Sequence, residues 1–394
     1  MHVRRFVASV LVLALAGCGA DTASRPTPAT TAPPAPDAQL RVEVVAEGLE
    51  HPWEIGFLPD GTALVSQRPG RIARLADHRP GALVHPVQAD LGDVLVAGEG
   101  GLMGLLVHPD FATDRQFTTC QTHQVDGRAV DVRLITWRLA EDGSRADRVG
   151  DLLTGLPVNT SGRHSGCRLA LAADGALLVG TGDTARPGAS QDRTSLGGKV
   201  LRIDLHTGAP LPDNPFIGAP DPRERLIYTL GHRNVQGLAL RPDGQVFSAE
   251  HGPDFDDEIN LLRPGGNYGW DPSQGGAVQS YDESVPMTDL QRFPDAVRAA
   301  WSSGNGTEAI CSATFLTGPQ WGRYEGMLAV TALKGSKLLL LAVQPGGAVS
   351  EVLIPPELDG TFGRLRAAHQ GPDGALYLST SNGQNDKVLR ITTP

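Results

Sequence analysis

Four segments of the chain repeat one local pattern, and this repetition constrains the fold more than any other feature. Pro59-Asp60-Gly61 leads into TALVSQ, Ala173-Asp174-Gly175 into ALLVGTGD, Pro242-Asp243-Gly244 into QVFSAEHG and Pro372-Asp373-Gly374 into ALYLSTSNG. Each Asp-Gly follows one apolar run and precedes another, which is a strong hairpin signal. The pentapeptide Lys-Val-Leu-Arg-Ile occurs twice, at 199–203 and 387–391, as an alternating strand behind the turn; Gly70-Arg71-Ile72-Ala73-Arg74-Leu75 is a looser version behind the first copy. Successive Asp-Gly pairs stand 114, 69 and 130 residues apart. Those spacings read as two, one and two units of roughly 60 residues, with the turn degenerate in some copies. Residues 40–394 then hold six units. Radial repetition of four-stranded antiparallel sheets gives an all-β, six-bladed β-propeller, whose blades protect each other's edges. A parallel β-helix needs shorter and more regular periods, and a pair of sandwiches leaves the repeated pentapeptide unexplained. The 48 Gly and 30 Pro agree, since they suit tight turns and oppose long helices. Function is expected on the loops over one end of the central channel.

Residues 1–17 read as a signal peptide rather than as part of the fold. Arg4 and Arg5 precede an apolar run, Phe6–Ala16, too short for the roughly 20 residues that span a bilayer. Leu15-Ala16-Gly17-Cys18 resembles the bacterial lipobox, which implies cleavage before Cys18 and lipid on its sulfur. Residues 18–39, crowded with Pro, Thr and Ala, form a tether without apolar periodicity. The expectation is a protein exported to the outer face of a bacterial membrane and held there only through Cys18. Cys120, Cys167 and Cys311 then allow one disulfide and one thiol, in any of three pairings. Cys311 also reads simply as a small buried hydrophobe. The net charge of −10 argues against non-specific nucleic-acid binding, which needs a basic footprint.

Common catalytic signatures are missing: there is no His-Glu-x-x-His, Cys-x-x-Cys, Gly-x-Ser-x-Gly or Walker loop. Gly98-Glu99-Gly100-Gly101 has the wrong spacing for a dinucleotide loop and reads as a tight turn leading a strand into a close approach. His164, on the loop before a blade strand, is either a general base or a hydrogen-bonded surface histidine. Gly231-His232-Arg233-Asn234-Val235-Gln236-Gly237 concentrates polar side chains between glycines, and burying them without partners is costly, so they are expected to line a wet cavity. Glu250–Glu258 carries five carboxylates in nine residues. With its Gly-Pro turn it suits calcium held partly by backbone carbonyls, or else it is a solvated acidic loop. Arg364 and Arg366 fall on one face of an expected strand. That pairing calls for an anion, a carboxylate or phosphate ligand or an acid of the next blade.

Together these segments resemble the soluble PQQ-dependent sugar dehydrogenases (glucose/sorbosone dehydrogenase-like), from about Val44 to Ile391. The pieces that carry the resemblance are GEGGLMGLLVHPDF at 98–111, His164–Leu169, GHRNVQGL at 231–238, EHGPDFDDEINLLRPGGNYGW at 250–270 and Gly363–Arg366. Each is weak alone, but all five stand in the family's order. The resemblance implies a six-bladed propeller, PQQ and calcium as cofactors, an aldose substrate oxidised at C1 and an external electron acceptor. It implies His164 as the base for the C1 hydroxyl, with the hydride passing to the quinone, and Arg233 as the group that stabilises charge on the quinone oxygen. Asn234, Lys334, Arg364 and Arg366 fall on cofactor-binding positions, and Glu99 lies where relatives often have Gln. The carbonyls of Gly252 and Pro253 match those of a calcium site, and Glu258 and Tyr268 match part of a second, structural one. Two positions depart from the glucose-oxidising enzyme: Arg163 replaces an Asp that helps hold the sugar, and Thr184 replaces a cofactor-facing Gln. Those changes imply a broader aldose range than glucose alone, or another alcohol as substrate. A non-catalytic propeller that binds sugar or protein is the competing expectation. A calcium-dependent lactonase is a weaker one, because it would want inward carboxylates rather than an arginine pair.

Overall fold

The computed structural model describes residues 39–273 and 280–394; the expected leader, Cys18 and the tether up to residue 38 lie outside the described residues. Strand β1 (Arg41–Leu49) comes first. Blade one follows as β2 (Pro52–Phe57), β3 (Ala63–Gln67), β4 (Arg71–Leu75) and β5 (Val84–Val87). Blade two is β6 (Leu102–Val107), β7 (Gln116–Val125), β8 (Arg128–Leu139) and β9 (Ala146–Leu156). Blade three is β10 (Arg168–Leu171), β11 (Leu177–Gly180), β12 (Lys199–Ile203) and β13 (Ile227–Leu230). Blade four is β14 (Val235–Leu240), β15 (Val246–Glu250), β16 (Glu258–Leu261) and β17 (Trp301–Ser302). Blade five is β18 (Ile310–Phe315), β19 (Leu328–Ala332), β20 (Lys337–Val343) and β21 (Val349–Leu353); β22 (Leu365–Gln370), β23 (Leu376–Thr380) and β24 (Asp386–Thr392) end the chain. Six four-stranded sheets result, and the sixth is completed by β1 pairing antiparallel with β24. The two ends of the propeller domain thus close the ring within one sheet, leaving no open seam between first and last blades. Among the described residues no helix is long and apolar enough to cross a membrane.

The four Asp-Gly turns join the first and second strands of blades one, three, four and six, as the two-one-two spacing requires. They are built alike. The glycine amide bonds back to the carbonyl three residues earlier in each, at 2.9–3.0 Å, with Gly61, Gly175, Gly244 and Gly374 at φ 77–90°. The aspartate Oδ1 accepts the amide two residues on in each, at 2.9–3.2 Å. Blades two and five replace the turn with short helices, α1 (Phe111–Asp114) and a 3-10 segment at Pro319–Tyr324 kinked at Gly322.

Apolar side chains pack between neighbouring sheets. Phe247 of blade four meets Phe315 of blade five edge-on at 5.4 Å, and Leu338 and Leu340 of blade five share one buried cluster with Leu376 and Leu378 of blade six. Cys120 and Cys167 form the disulfide, Cα–Cα 6.2 Å, tying β7 to the entry of β10. Cys311 is a buried thiol. The innermost strands of all six blades line a central cavity of about 440 Å³ whose wall includes the buried Arg168–Glu54 ion pair, and the guanidiniums of Arg168 and Arg366 lie over the Trp53 ring at 4.1 and 5.4 Å.

Candidate active site

The end of the ring opposite the Asp-Gly turns carries the connections that bear Glu99, His164, Asp183 and Arg233. The Gly98–Gly101 turn shows how closely they fit. A Cβ on Gly98 (φ 51°) would stand 2.4 Å from the Ser161 carbonyl oxygen, and one on Gly162 (φ 77°) 1.7 Å from that of Ala97. Only glycine permits this approach. The Glu99 amide donates to Gly162 O at 3.2 Å, locking the turn to the loop that bears His164. The turn therefore serves close approach, as its spacing implies, and brings a carboxylate with it.

His164 is buried in left-handed backbone, φ 50°, a conformation that costs energy in a non-glycine residue and marks sites where neighbours impose it. Its Nδ1 meets Asp183 Oδ1 at 2.7 Å. Asp183, on the loop after β11, also accepts the Tyr281 hydroxyl at 2.6 Å and the Trp270 indole N–H at 2.8 Å on Oδ2. Burial alone would raise the Asp183 carboxyl. The bonds from His164 and Tyr281 and the nearby Arg233 outweigh it and hold the group below the usual carboxylate range. An ionised Asp183 fixes the Nδ1–H tautomer of His164 and leaves Nε2 with its lone pair for a proton.

Arg233 and Asn234 follow from the GHRNVQG segment. Its side chains are buried rather than bathed in water, and a polar network compensates them. The Arg233 amide donates to Glu250 Oε2 at 3.1 Å and its Nη1 to His251 O at 3.1 Å. The other arm of its guanidinium pairs with Glu283, which also binds Arg163 at 3.1 Å. Glu250 accepts from His232 at 2.9 Å and from Asn260 at 2.6 Å. Asn234 donates to Glu99 at 2.9 Å, while its oxygen accepts from Gly166 N and from Gln236, each at 3.1 Å. Burial pushes the Glu99 carboxyl upward, but His251, His164, the Asn234 amide and Arg366 together hold it below its ordinary range. Thr184 is buried at φ 57° and turns its hydroxyl onto Asp183 O.

Arg364 stands just before β22 and Arg366 within it. With Arg68, His51, Trp53, Ser381 and Asn382 they line a cavity of about 300 Å³. Lys334 does not line it: its side chain is largely exposed and reaches Asp254 at 3.8 Å. The acids of 250–258 separate into different roles instead of forming one cluster. Asp254 is exposed; buried Asp257 caps the turn by accepting from Gly252 N, Thr307 and Glu308 N at 2.7–3.0 Å. Glu258 accepts from Thr288 at 2.9 Å and from Asn260 at 3.2 Å. Burial first, and then Glu250, raise its carboxyl to about 8. The Tyr268 hydroxyl donates to Leu261 O at 2.7 Å and accepts from Arg263 N at 2.9 Å, so a metal ligand from this residue has to be its carbonyl. Among the described residues no three His, Cys, Asp or Glu side chains converge as a metal cage.

Sequence reasoning does not single out Asp183, Trp270, Tyr281, Glu283 or Arg68 as site residues. Asp183 follows a strand in a Gly-Asp pair, the one usable signal. Tyr281 and Glu283 sit in a long aperiodic loop and meet His164 and Arg233 only through tertiary folding.

A family model described as Glucose / Sorbosone dehydrogenase matches residues 49–390. An aldose sugar dehydrogenase of Escherichia coli strain K12 is 28% identical, the match covering 90% of this chain and 93% of that protein. Among solved structures, a putative oxidoreductase (glucose dehydrogenase) of Thermus thermophilus is 37% identical, TM-score 0.75, over 89% of this chain and 99% of that one. The PQQ-bound form of an aldose sugar dehydrogenase from Streptomyces coelicolor is 31% identical, TM-score 0.74, over 91% of this chain and all of that one.

Proposed function

The chain belongs to the glucose/sorbosone dehydrogenase family, and from that premise we propose that it is a PQQ-dependent aldose dehydrogenase. In this reading it oxidises the C1 hydroxyl of a sugar to the lactone and hands the electrons to an external acceptor. The observation that carries the reading is the buried His164–Asp183 pair with Arg233 beside it, at the same channel mouth as an arginine-lined cavity. A tricarboxylate suits that cavity. Among the described residues the Nε atoms of Arg68 and Arg366 are buried without a protein partner, and guanidinium groups pair readily with carboxylates. When bound, PQQ supplies the quinone that accepts the hydride leaving C1.

The chain's own residues do the rest. Arg364, Arg366, Asn234 and Lys334 are the cofactor-binding residues of this reading, and the Glu99 carboxylate stands among them, accepting from Asn234 at 2.9 Å. His164 Nε2 takes the hydroxyl proton, and Asp183 stabilises the imidazolium that forms. Arg233, aimed by Glu283 and the His251 carbonyl, places positive charge where an oxyanion develops. Calcium on the carbonyls of Gly252 and Pro253, and a second ion using Glu258 and Tyr268, belong to the same reading. So does export with a lipid on Cys18, which the Cys120–Cys167 disulfide supports, since such bonds persist in oxidising compartments. The Arg163–Glu283 pair beside His164 supports an aldose range that differs from glucose alone.

The test is dye reduction by purified apo-protein given PQQ, calcium and a panel of aldoses. Turnover with at least one sugar, dependent on PQQ, is expected. No turnover with any sugar, together with no absorbance change on adding PQQ, rejects the proposal.

A further inference from the structure

Three guanidiniums from two blades face one cavity of about 300 Å³. Arg68 comes from the β3–β4 connection of blade one, Arg364 and Arg366 from the entry of blade six. Among the described residues none of the three has a carboxylate in ion-pair contact. Arg68 Nη1 donates to the Gly98 carbonyl, and Arg366 Nη1 to the Gln236 side-chain oxygen at 2.7 Å. Both acceptors are neutral, and the Nε atoms of Arg68 and Arg366 are buried without a partner. Burial first, and then the neighbouring guanidiniums, hold Arg68 and Arg364 below the ordinary arginine range. Like charges gathered without an acid, in a chain whose net charge is −10, require an anion from elsewhere.

The acid that acts most strongly on Arg68 works against such an anion. Glu99 is held in its ionised form and belongs to the turn whose Gly98 carbonyl Arg68 grips. An anionic ligand therefore meets three guanidiniums, with Glu99 opposing them. Without Arg68 two guanidiniums remain to offset it.

We propose that Arg68 is a cofactor-binding residue, the third guanidinium of a carboxylate clamp and the counter-charge that lets this site tolerate Glu99. The inference rests on the reading that the cavity takes PQQ, and its test separates the two.

PQQ is titrated into purified apo-protein at fixed calcium and followed by absorbance and protein fluorescence, with binding rather than turnover as the readout. If the wild type does not bind PQQ, the cofactor reading itself fails. Given wild-type binding, Arg68→Gln is expected to raise Kd about 10- to 100-fold, with the gap narrowing at high salt. Glu99→Gln alone should tighten binding a few-fold, and Arg68→Gln/Glu99→Gln should return to within about threefold of wild type. Arg68→Lys, which keeps the charge, should stay closer to wild type than Arg68→Gln and covers the case in which Arg68→Gln fails to fold. Binding by folded Arg68→Gln within twofold of wild type overturns the proposal. So does a double variant no better than Arg68→Gln, or Glu99→Gln that fails to tighten binding.

Discussion

Blades three and six contain the same pentapeptide, Lys-Val-Leu-Arg-Ile, in the same third strand, and their comparison separates what a sequence sets locally from what its neighbours decide. The two arginines behave alike. Arg202 pairs with Asp174, and Arg390 with Asp373 at 2.7 Å, each the aspartate of its own blade's Asp-Gly turn. The two lysines do not. Lys387 reaches the surface acid Glu47 at 2.8 Å. Lys199 is fully buried, its Nζ donating to the carbonyls of Ala189, Ser190 and Gly197 at 2.7–3.0 Å. Those carbonyls lie on the long loop that follows Asp183, and Ser190 in turn bonds the His232 carbonyl at 2.6 Å. One copy is a plain structural strand, while the other anchors the loops that shape the site.

The largest expected difference is in stability. Lys199→Met strands three carbonyls in the interior and should cost about 3–5 kcal/mol in a urea melt, whereas Lys387→Met should stay within about 0.5 kcal/mol. Equal losses would erase the contrast.

A pH series sharpens the same point. Burial brings the Lys199 amine down to about 7, against 10.5 for an ordinary lysine. Between those values the unfolded chain binds the proton that the folded chain has released, so stability should rise with pH through this window. The rise should be about 3 kcal/mol from pH 7 to 9.5, and Lys199→Met should lack it. Parallel profiles would show that the carbonyls keep the amine charged.

Asp183, at the other end of this loop, should reveal itself in kinetics. Asp183→Asn allows the wrong His164 tautomer and should cut turnover roughly 10²-fold or more, about 2.7 kcal/mol, with PQQ affinity little changed. Unaltered turnover would remove Asp183 from its positioning role.

The smallest effects test what the two blades share. Asp174→Ala and Asp373→Ala each lose a turn bond and an arginine partner and should destabilise by similar amounts, about 1 kcal/mol. A marked inequality would mean that the turns are not equivalent.

This contrast also marks how far the sequence can be read. The turns and the pentapeptide are local signals, and from them come the number of blades and their spacing. Blades two and five stayed hidden because short helices replace their turns, yet the spacing of the others accounts for them. His164, Arg233, Asn234, Arg364 and Arg366 were legible because polar residues between glycines, or arginines two apart, are unusual on a strand edge. Asp183, Tyr281, Glu283 and Arg68 were not, since each acquires its role by meeting a residue from another loop. The environment of Lys199 was equally hidden, as its identical copy in blade six shows.

Whether His164 is the base of a PQQ-dependent sugar oxidation is decided by the turnover of His164→Ala at saturating PQQ. PQQ should still be bound while turnover falls roughly 10²-fold or more. Turnover equal to wild type, with PQQ bound, would contradict that role.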